Sequence, residues 1–295
     1  MDGSLFYPPR NFGSLPPELC DPERSRALVL PVPYESTTEY RAGTRDGPQA
    51  IIDASQFLEL FDLELRREIC EAGICTHTEV QPDMRGPERM AERIAAVFAE
   101  LARPGRVIAM LGGEHSITIG AVSALRRTHP RLSVLQLDAH ADLRDEYLGS
   151  QYSHACTGRR LLEMCPLVQV GVRSMSVEEH EFVRERGLSP FYAHAEPVTV
   201  KTIERIVNAL TEDVYVTVDL DVLDPSIMAA VGNPEPDGLL WGETMELLRA
   251  VAEARHVVGF DVVELCPSQG PEACAFLAAR LAYKLVGYVT LLGPW

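Results

Sequence analysis

Three residues in one short stretch could bind metal: Asp138, His140 and Asp142. On an extended backbone alternate residues project to the same side, so their side chains converge. Asp219 and Asp221 repeat that spacing farther along, followed by Asp224-Pro225, and His115 stands within Gly112-Gly113-Glu114-His115-Ser116. Asp138, Asp142, Asp219 and Asp221 with His115 and His140 offer four carboxylates and two imidazoles. Carboxylates set this closely at a buried strand end need cations. Hard oxygen ligands with imidazole suit Mn²⁺, with Fe²⁺, Co²⁺, Zn²⁺ or Ni²⁺ as other occupants. Six ligands exceed the three protein groups of a catalytic zinc. They suit two metals with bridging carboxylates, a pair that can make hydroxide from water near neutral pH. A lone Asp-x-Asp is usually structural. The combination of clusters, in this order and after apolar strands, is what points to metal.

The clusters act together only if the fold brings them together. Strands are expected at 28–33, 106–111, 132–137, 167–173, 214–220 and 256–265, from short apolar runs. Helices are expected at 48–62, 87–102, 115–127, 158–164, 200–211 and 242–254. Apolar strands without in/out alternation, separated by helices, predict a parallel sheet covered on both faces. No repeat or linker interrupts the pattern, so one α/β domain is expected over residues 1–295, with the proline-rich residues 1–26 as an irregular arm. Open α/β sheets bind ligands beyond the carboxyl ends of their strands. His115 follows the second strand, Asp138 to Asp142 follow the third, Asp219 and Asp221 close the fifth, and Glu264 lies near the end of the sixth. All four clusters are thus expected at one sheet edge.

The segments GGEHS (112–116), DAHADLR (138–144), SHA (153–155) and DLDVLDPS (219–226) occur in that order. With them the chain resembles the ureohydrolases: arginase, agmatinase and their relatives. Residues 43–48 (GTRDGP) and 233–238 (NPEPDG) resemble two further loops of the family, and the likeness covers roughly residues 28 to 290. It implies a three-layer α/β/α sandwich with a mainly parallel sheet and two Mn²⁺ per subunit. His115 and Asp142 would bind one ion, His140 and Asp221 the other, and Asp138 and Asp219 both. A bridging hydroxide, hydrogen-bonded by Asp142, would attack the guanidinium carbon. The tetrahedral intermediate would then expel an amine and leave urea. The resemblance makes His154 the proton shuttle to that amine. It makes Glu264 the carboxylate that pairs with the substrate guanidinium. It also implies a homo-oligomer, a trimer or hexamer.

Among these enzymes the likeness is closer to agmatinase, which implies agmatine hydrolysis to putrescine and urea. Leu143-Arg144-Asp145-Glu146 stands where arginase carries an asparagine that grips the amino-acid end of arginine. Asp145, Glu146 or Asp237 would receive the cationic far end of agmatine. Two features keep other guanidines open. Residues 265–270 (LCPSQG) lack the aspartate found there in many agmatinases, and Arg144 would favour a carboxylate if it faced the pocket. Aminopropylagmatine, guanidinobutyrate and arginine are the alternatives. Two other classes compete: a deacylase on a related fold, which usually keeps one metal, and an inactive metal-binding relative. The inactive relative would be expected to have lost a ligand, the loop histidine or the late glutamate.

The 27 basic and 43 acidic residues give a net charge of −16, which argues against nucleic acid as a partner and favours small cations. No apolar run approaches the ~20 residues needed to span a membrane, and the first residues lack the pattern of a secretory signal. The seven cysteines are scattered, with Cys70 and Cys75 too isolated for a zinc site, so reduced thiols in a cytoplasmic protein are expected. His77, His129, His180, His194 and His256 stand outside any motif and are expected to be structural or solvated. Asp224 is expected to shape its turn. Cys156 is expected near the pocket without a sign of reactivity.

Overall fold

The computed structural model describes residues 9–193 and 197–294. Its strands are β1 (Ala27–Val32), β2 (Phe61–Asp62), β3 (Arg67–Glu68), β4 (Ile74–Thr76), β5 (Val107–Gly112), β6 (Leu132–Leu137), β7 (Leu167–Val172), β8 (Phe191–Tyr192), β9 (Asp213–Asp219) and β10 (His256–Val263). Eight of them form one sheet in the order β4-β1-β5-β10-β9-β6-β7-β8. Every pairing in that sheet is parallel. β2 and β3 make a separate antiparallel pair.

The helices are α1 (Gly47–Ser55), α2 (Pro87–Leu101), α3 (Thr118–Thr128), α4 (Thr157–Met164), α5 (Val177–Arg186), α6 (Val200–Ala209), α7 (Trp241–Ala254) and α8 (Ala273–Leu291). They cover both faces, giving the expected three layers. Val107, Ala109 and Leu111 of β5 pack with α1 and α8, while Ile108 and Met110 pack with α2 and α3. Apolar side chains are therefore needed on both sides of each central strand, which is why these strands show no alternation in sequence.

Four details differ from the sequence reading. The helix expected over 48–62 stops at Ser55. There Ser55 Oγ donates to Ile52 O and accepts Gly13 N–H, and Asp62 Oδ1 accepts Glu64 and Leu65 N–H to turn the chain between β2 and β3. The arm is anchored rather than superficial, since Phe12 and Leu15 are fully buried. α5 was not anticipated. Its residues are polar almost all round, and it is held by a capping box of Ser176 and Glu179. α8 corrects the statement about apolar runs: it is long and apolar enough to cross a membrane by length and composition, with a mean hydropathy of 1.3. Of that apolar window 72% is buried inside the protein. Arg280 and Lys284 break the run in sequence, yet Lys284 is buried and paired with Asp62 at 3.1 Å.

Candidate metal centre and active site

The chain inserts β10 and β9 between β5 and β6, so these four neighbouring strands end side by side. Their carboxyl ends deliver His115, Glu264, Asp219 with Asp221, and Asp138 with His140 and Asp142. The turn after β5 depends on Gly113, where a Cβ would sit 2.0 Å from Tyr34 O. Its N–H bonds Val32 O, and its carbonyl accepts Glu264 N–H. Asp142 and Glu264 have φ of 51° and 65°. Side chains are costly in this left-handed region, by roughly 1–3 kcal/mol each. Both residues line the cleft, so the strain is held at the site.

His115 is the clearest sign of a cation site. Its Nε2 lies 2.9 Å from Thr217 Oγ1, and Thr217 donates its hydroxyl hydrogen to Asp261 Oδ1 at 2.5 Å. Thr217 therefore accepts from His115, which puts the ring hydrogen on Nε2. Asp261 is fully buried, and its other oxygen accepts Tyr215 OH and Thr118 OH, each at 2.8 Å. Nδ1 of His115 is thus left as a bare, buried acceptor with no hydrogen-bond partner. Around it stand Oδ2 of Asp138 at 3.2 Å, of Asp142 at 3.3 Å and of Asp219 at 3.3 Å. With His115 neutral, as a metal ligand must be, Nδ1 and the three carboxylate oxygens are four acceptors facing one another. A divalent ion satisfies all four, and the donor set of imidazole and carboxylates suits it.

A second group shares one of those carboxylates. Asp138, His140 and Asp221 bring ligand atoms within 4.8 Å of one another, as do His115, Asp138 and Asp219. His140 Nδ1 is 2.7 Å from Asp221 Oδ2. Asp138 also accepts His140 N–H at 2.6 Å and Gln136 Nε2 at 2.7 Å, and Asp221 accepts Ala139 N–H at 2.9 Å. The six predicted ligands lie in one cluster, and Asp138 is common to both groups.

Without metal this cluster is under electrostatic load. Burial and the neighbouring Asp138 carboxylate push Asp142 up to about 7. Burial with Asp221 and Asp138 raises Asp219 well above the usual carboxylate range. For His115 burial alone lowers the pKa, but the three surrounding aspartates draw it well above the ordinary imidazole value. His140 is raised likewise, with burial opposed by Asp221 and Asp138. Burial opposes ionisation of Asp221 too, yet His140 holds its pKa down. A carboxylate with a raised folded pKa binds more protons folded than unfolded. Its stability contribution falls as pH rises from its unfolded value, near 4, through its folded value. A raised histidine loses its contribution as pH rises past about 6.5 through its folded pKa. Both act in the same direction between pH 5 and 8. The chelated protein is therefore expected to melt at lower temperature at pH 8 than at pH 5.5. Restoring a divalent ion should raise the melting temperature by roughly 5–15 °C at pH 8 and less at pH 5.5. Paired calorimetric scans check this.

The Thr217–Asp261 relay was invisible as a function in the sequence. Thr217→Val should leave His115 without its Nε2 acceptor and weaken metal affinity by about 10- to 100-fold. Thr217→Ser should restore most of it. A metal titration followed by isothermal calorimetry reads both.

His154 is held from behind. Thr37 Oγ1 donates to Glu114 Oε1 at 3.0 Å, and accepts from His154 N–H and Nδ1, each at 3.0 Å. Glu114, fully buried, also accepts Ser36 N–H, Thr37 N–H and Ser116 OH. The sequence reading gave Glu114 no part at the metal. It proves to be the anchor for the loop that orients His154. With Nδ1 protonated, Nε2 is the acceptor. Burial, with the His115 and His140 rings nearby, lowers the His154 pKa despite Glu114, which favours the neutral ring that can take a proton. Thr37→Val should cut kcat by about 10-fold or more with KM little changed, and Thr37→Ser should rescue it. The pH–rate profile of the valine variant should also shift.

A cleft of about 250 Å³ opens over the centre. Asp145, Glu146 and Asp237, the residues expected to receive the substrate's far end, are not among its lining residues. Asp145 is taken by Arg160 at 2.5 Å. Besides the candidate ligands and Glu264, the acidic lining residues are the exposed Glu39 and the buried Glu179. Glu179 is occupied by Leu143 N–H and Ser176 N–H, at 2.8 and 2.7 Å. Glu39, which accepts Tyr147 OH, is exposed toward solvent. Arg144 does line the cleft, but its guanidinium stacks on Tyr147 at 4.7 Å and lies 4.0 Å from Glu179.

Arg173, at the end of β7, donates to Asp221 O at 2.7 Å, Glu235 O at 2.9 Å and Pro236 O at 2.9 Å, stitching the 233–238 loop to a ligand strand. Asp224 accepts Ser226 N–H and Gly238 N–H, as befits a turn residue. Arg45 meets Glu35 at 3.3 Å and so organises the loop that carries Thr37 and Glu39. Cys156 is buried, and burial pushes its thiol up to about 12. The seven cysteines are free thiols. Of the five histidines without a motif, His194 lies outside the described residues, while His129 and His256 meet at Asp213.

Residues 25–287 match the Arginase family. The chain is 41% identical over 278 residues to the N(1)-aminopropylagmatine ureohydrolase of Thermus thermophilus, covering 92% of this chain and 93% of the relative. It is 36% identical to the enzyme of that name from Synechocystis over 96% and 97% of the two chains. The agmatine ureohydrolase structure from Thermoplasma volcanium superposes with a TM-score of 0.86 at 29% identity, covering 97% of this chain and 96% of that one.

Proposed function

The chain belongs to the Arginase family of ureohydrolases, and on that premise we propose that it hydrolyses the guanidinium group of N(1)-aminopropylagmatine, releasing urea and a triamine. Agmatine, the substrate expected from the sequence, is the shorter competitor. The observation that carries the reading is the bare Nδ1 of His115 amid three carboxylates, joined through Asp138 to a second ligand group. In this proposal His115, Asp138, His140, Asp142, Asp219 and Asp221 hold two divalent ions, manganese by the character of the donors. When bound, they balance the buried charge and lower the pKa of a water so that it can attack carbon near neutral pH.

The chain's own groups do the rest. Glu264 takes the guanidinium through charged hydrogen bonds and turns its carbon toward the centre. One of its oxygens already accepts His115 N–H at 2.5 Å, so the pairing uses the remaining lone pairs. Asp142 accepts a hydrogen bond from the attacking water. His154 Nε2 takes the proton that the attacking water gives up and passes it to the leaving nitrogen as the C–N bond breaks. Glu39, at the outer wall, receives the terminal ammonium of the longer substrate. A homo-oligomer in the cytoplasm, working in polyamine synthesis, completes the proposal.

The test is urea release by the manganese-loaded protein from aminopropylagmatine, agmatine, arginine and guanidinobutyrate. The reading expects the highest kcat/KM for aminopropylagmatine. Glu39→Gln should lower that value by about 5- to 10-fold, with little change for guanidinobutyrate. A preference for arginine or guanidinobutyrate would overturn the substrate. No urea from any of them, with two ions bound, would favour the inactive family member.

A further inference from the structure

A second constellation lies at the opposite end of the sheet. Asp213 opens β9 and His256 opens β10, and the two are direct partners across the parallel ladder. His129 caps the end of α3. His256 Nδ1 is 2.8 Å from Asp213 Oδ1, and His129 Nδ1 is 3.4 Å from Asp213 Oδ2. The two rings lie 6.1 Å apart between centroids, inclined by 59°. One ligand atom from each of the three residues falls within 4.8 Å of the others. Their backbones are fixed. His129 N–H bonds Leu125 O, His129 O accepts Leu132 N–H, and His256 N–H bonds Glu212 O, at 2.8, 3.0 and 2.9 Å.

We propose that His129, Asp213 and His256 form a separate site for one zinc ion. Zinc takes imidazole nitrogen and carboxylate oxygen at about 2.0–2.2 Å in a tetrahedron, which sets ligand atoms roughly 3.3 Å apart. The observed 2.8 and 3.4 Å, each to a different oxygen of Asp213, lie on either side of that spacing. Two imidazoles and one carboxylate are a softer set than the carboxylate-rich centre, so this site prefers zinc where the other suits manganese. The side chains are 26%, 20% and 34% exposed for His129, Asp213 and His256, which leaves the fourth position to water. Both histidines border a cleft of about 450 Å³ shared with Arg103, Arg106 and Leu125. The length of β9 separates this site from Asp219 by roughly 20 Å. The ion therefore touches no substrate. It clasps the end of α3 to the openings of the two central strands that carry the ligands at their far ends.

The test keeps both sites in view. Wild-type protein is dialysed against excess Mn²⁺ with micromolar Zn²⁺, and bound metals are counted by mass spectrometry. One zinc per chain should remain, and the His129→Gln/His256→Gln double variant should lose it while its manganese content and urea release stay unchanged. Equal zinc in the two proteins would overturn the site. X-ray absorption at the zinc edge of the wild type decides the matter if the double variant fails to fold. Two imidazoles per zinc support the proposal. One or none, as the carboxylate-rich centre would give, contradicts it.

Discussion

Asp219→Asn is expected to yield a chain that is more stable than the parent without metal, and at least about 1,000-fold slower with it. Asp219 is buried, and Asp221 and Asp138 add to burial in opposing its charge. An amide removes that charge at nearly constant volume. Its carbonyl can still accept Asp221 N–H, now bonded to Oδ1 at 3.0 Å. Its NH₂ falls where Oδ2 stands, 3.3 Å from the bare Nδ1 of His115, and can donate to it. The metal-free melting temperature should therefore rise by several degrees at pH 8, where the parent carboxylate is most costly. The same change removes a ligand from the first group. Metal catalysis contributes several kcal/mol, and about 4 kcal/mol corresponds to 1,000-fold in rate. Melting scans with and without chelator, beside kcat/KM, read both signs at once. A variant that is inactive because it is misfolded would melt lower, not higher.

Glu264→Gln should have the second-largest effect, about 100- to 1,000-fold in kcat/KM. Burial, with the Glu114 carboxylate nearby, raises the Glu264 pKa well above its ordinary range although His115 N–H opposes this. An entering guanidinium supplies a countercharge to this buried carboxylate. Glutamine keeps the acceptor for His115 N–H but presents a neutral group to a desolvated cation. Removing one member of a buried charged pair costs about 2–5 kcal/mol. The loss should fall on every guanidine substrate alike, because the contact is at the reacting end. Glu39→Gln should discriminate among them, because its proposed contact is at the other end. Kinetics of the two variants on aminopropylagmatine and guanidinobutyrate separate the two contributions.

The contrast between these residues shows what could be read before the structure. Asp138, His140 and Asp142 announce themselves because one extended segment carries all three, and Asp219 with Asp221 does the same. The parallel sheet was legible for a related reason: strands buried on both faces stay apolar throughout, as in β5 and β6. Thr217, Asp261, Thr37 and Glu114 gave no such signal. Each works only through a partner roughly 40 to 140 positions away, and the pairing of β9 with β10, or of β1 with β5, is what brings them into contact. The acidic residues expected at the substrate's far end do not line the cleft, for the same reason. Asp145 is acidic in sequence, but Arg160 on α4 consumes its charge, while Glu39 comes from a loop a hundred residues earlier. α8 was missed because Arg280 and Lys284 interrupt a run whose apolar faces are all used. The fate of Lys284 is set by Asp62, far from it in the chain.

The most direct measurement is a metal count joined to product analysis on one preparation. Protein stripped by chelator and reloaded with Mn²⁺ is assayed for bound ions per chain, and for urea formed per aminopropylagmatine consumed. The shared Asp138 and the two ligand groups around it predict two ions per chain and one urea per substrate, with fewer than two ions bound and urea released at least about 1,000-fold more slowly in Asp219→Asn. A single bound ion with full activity, or urea release undiminished in that variant, would contradict the two-metal reading of this site.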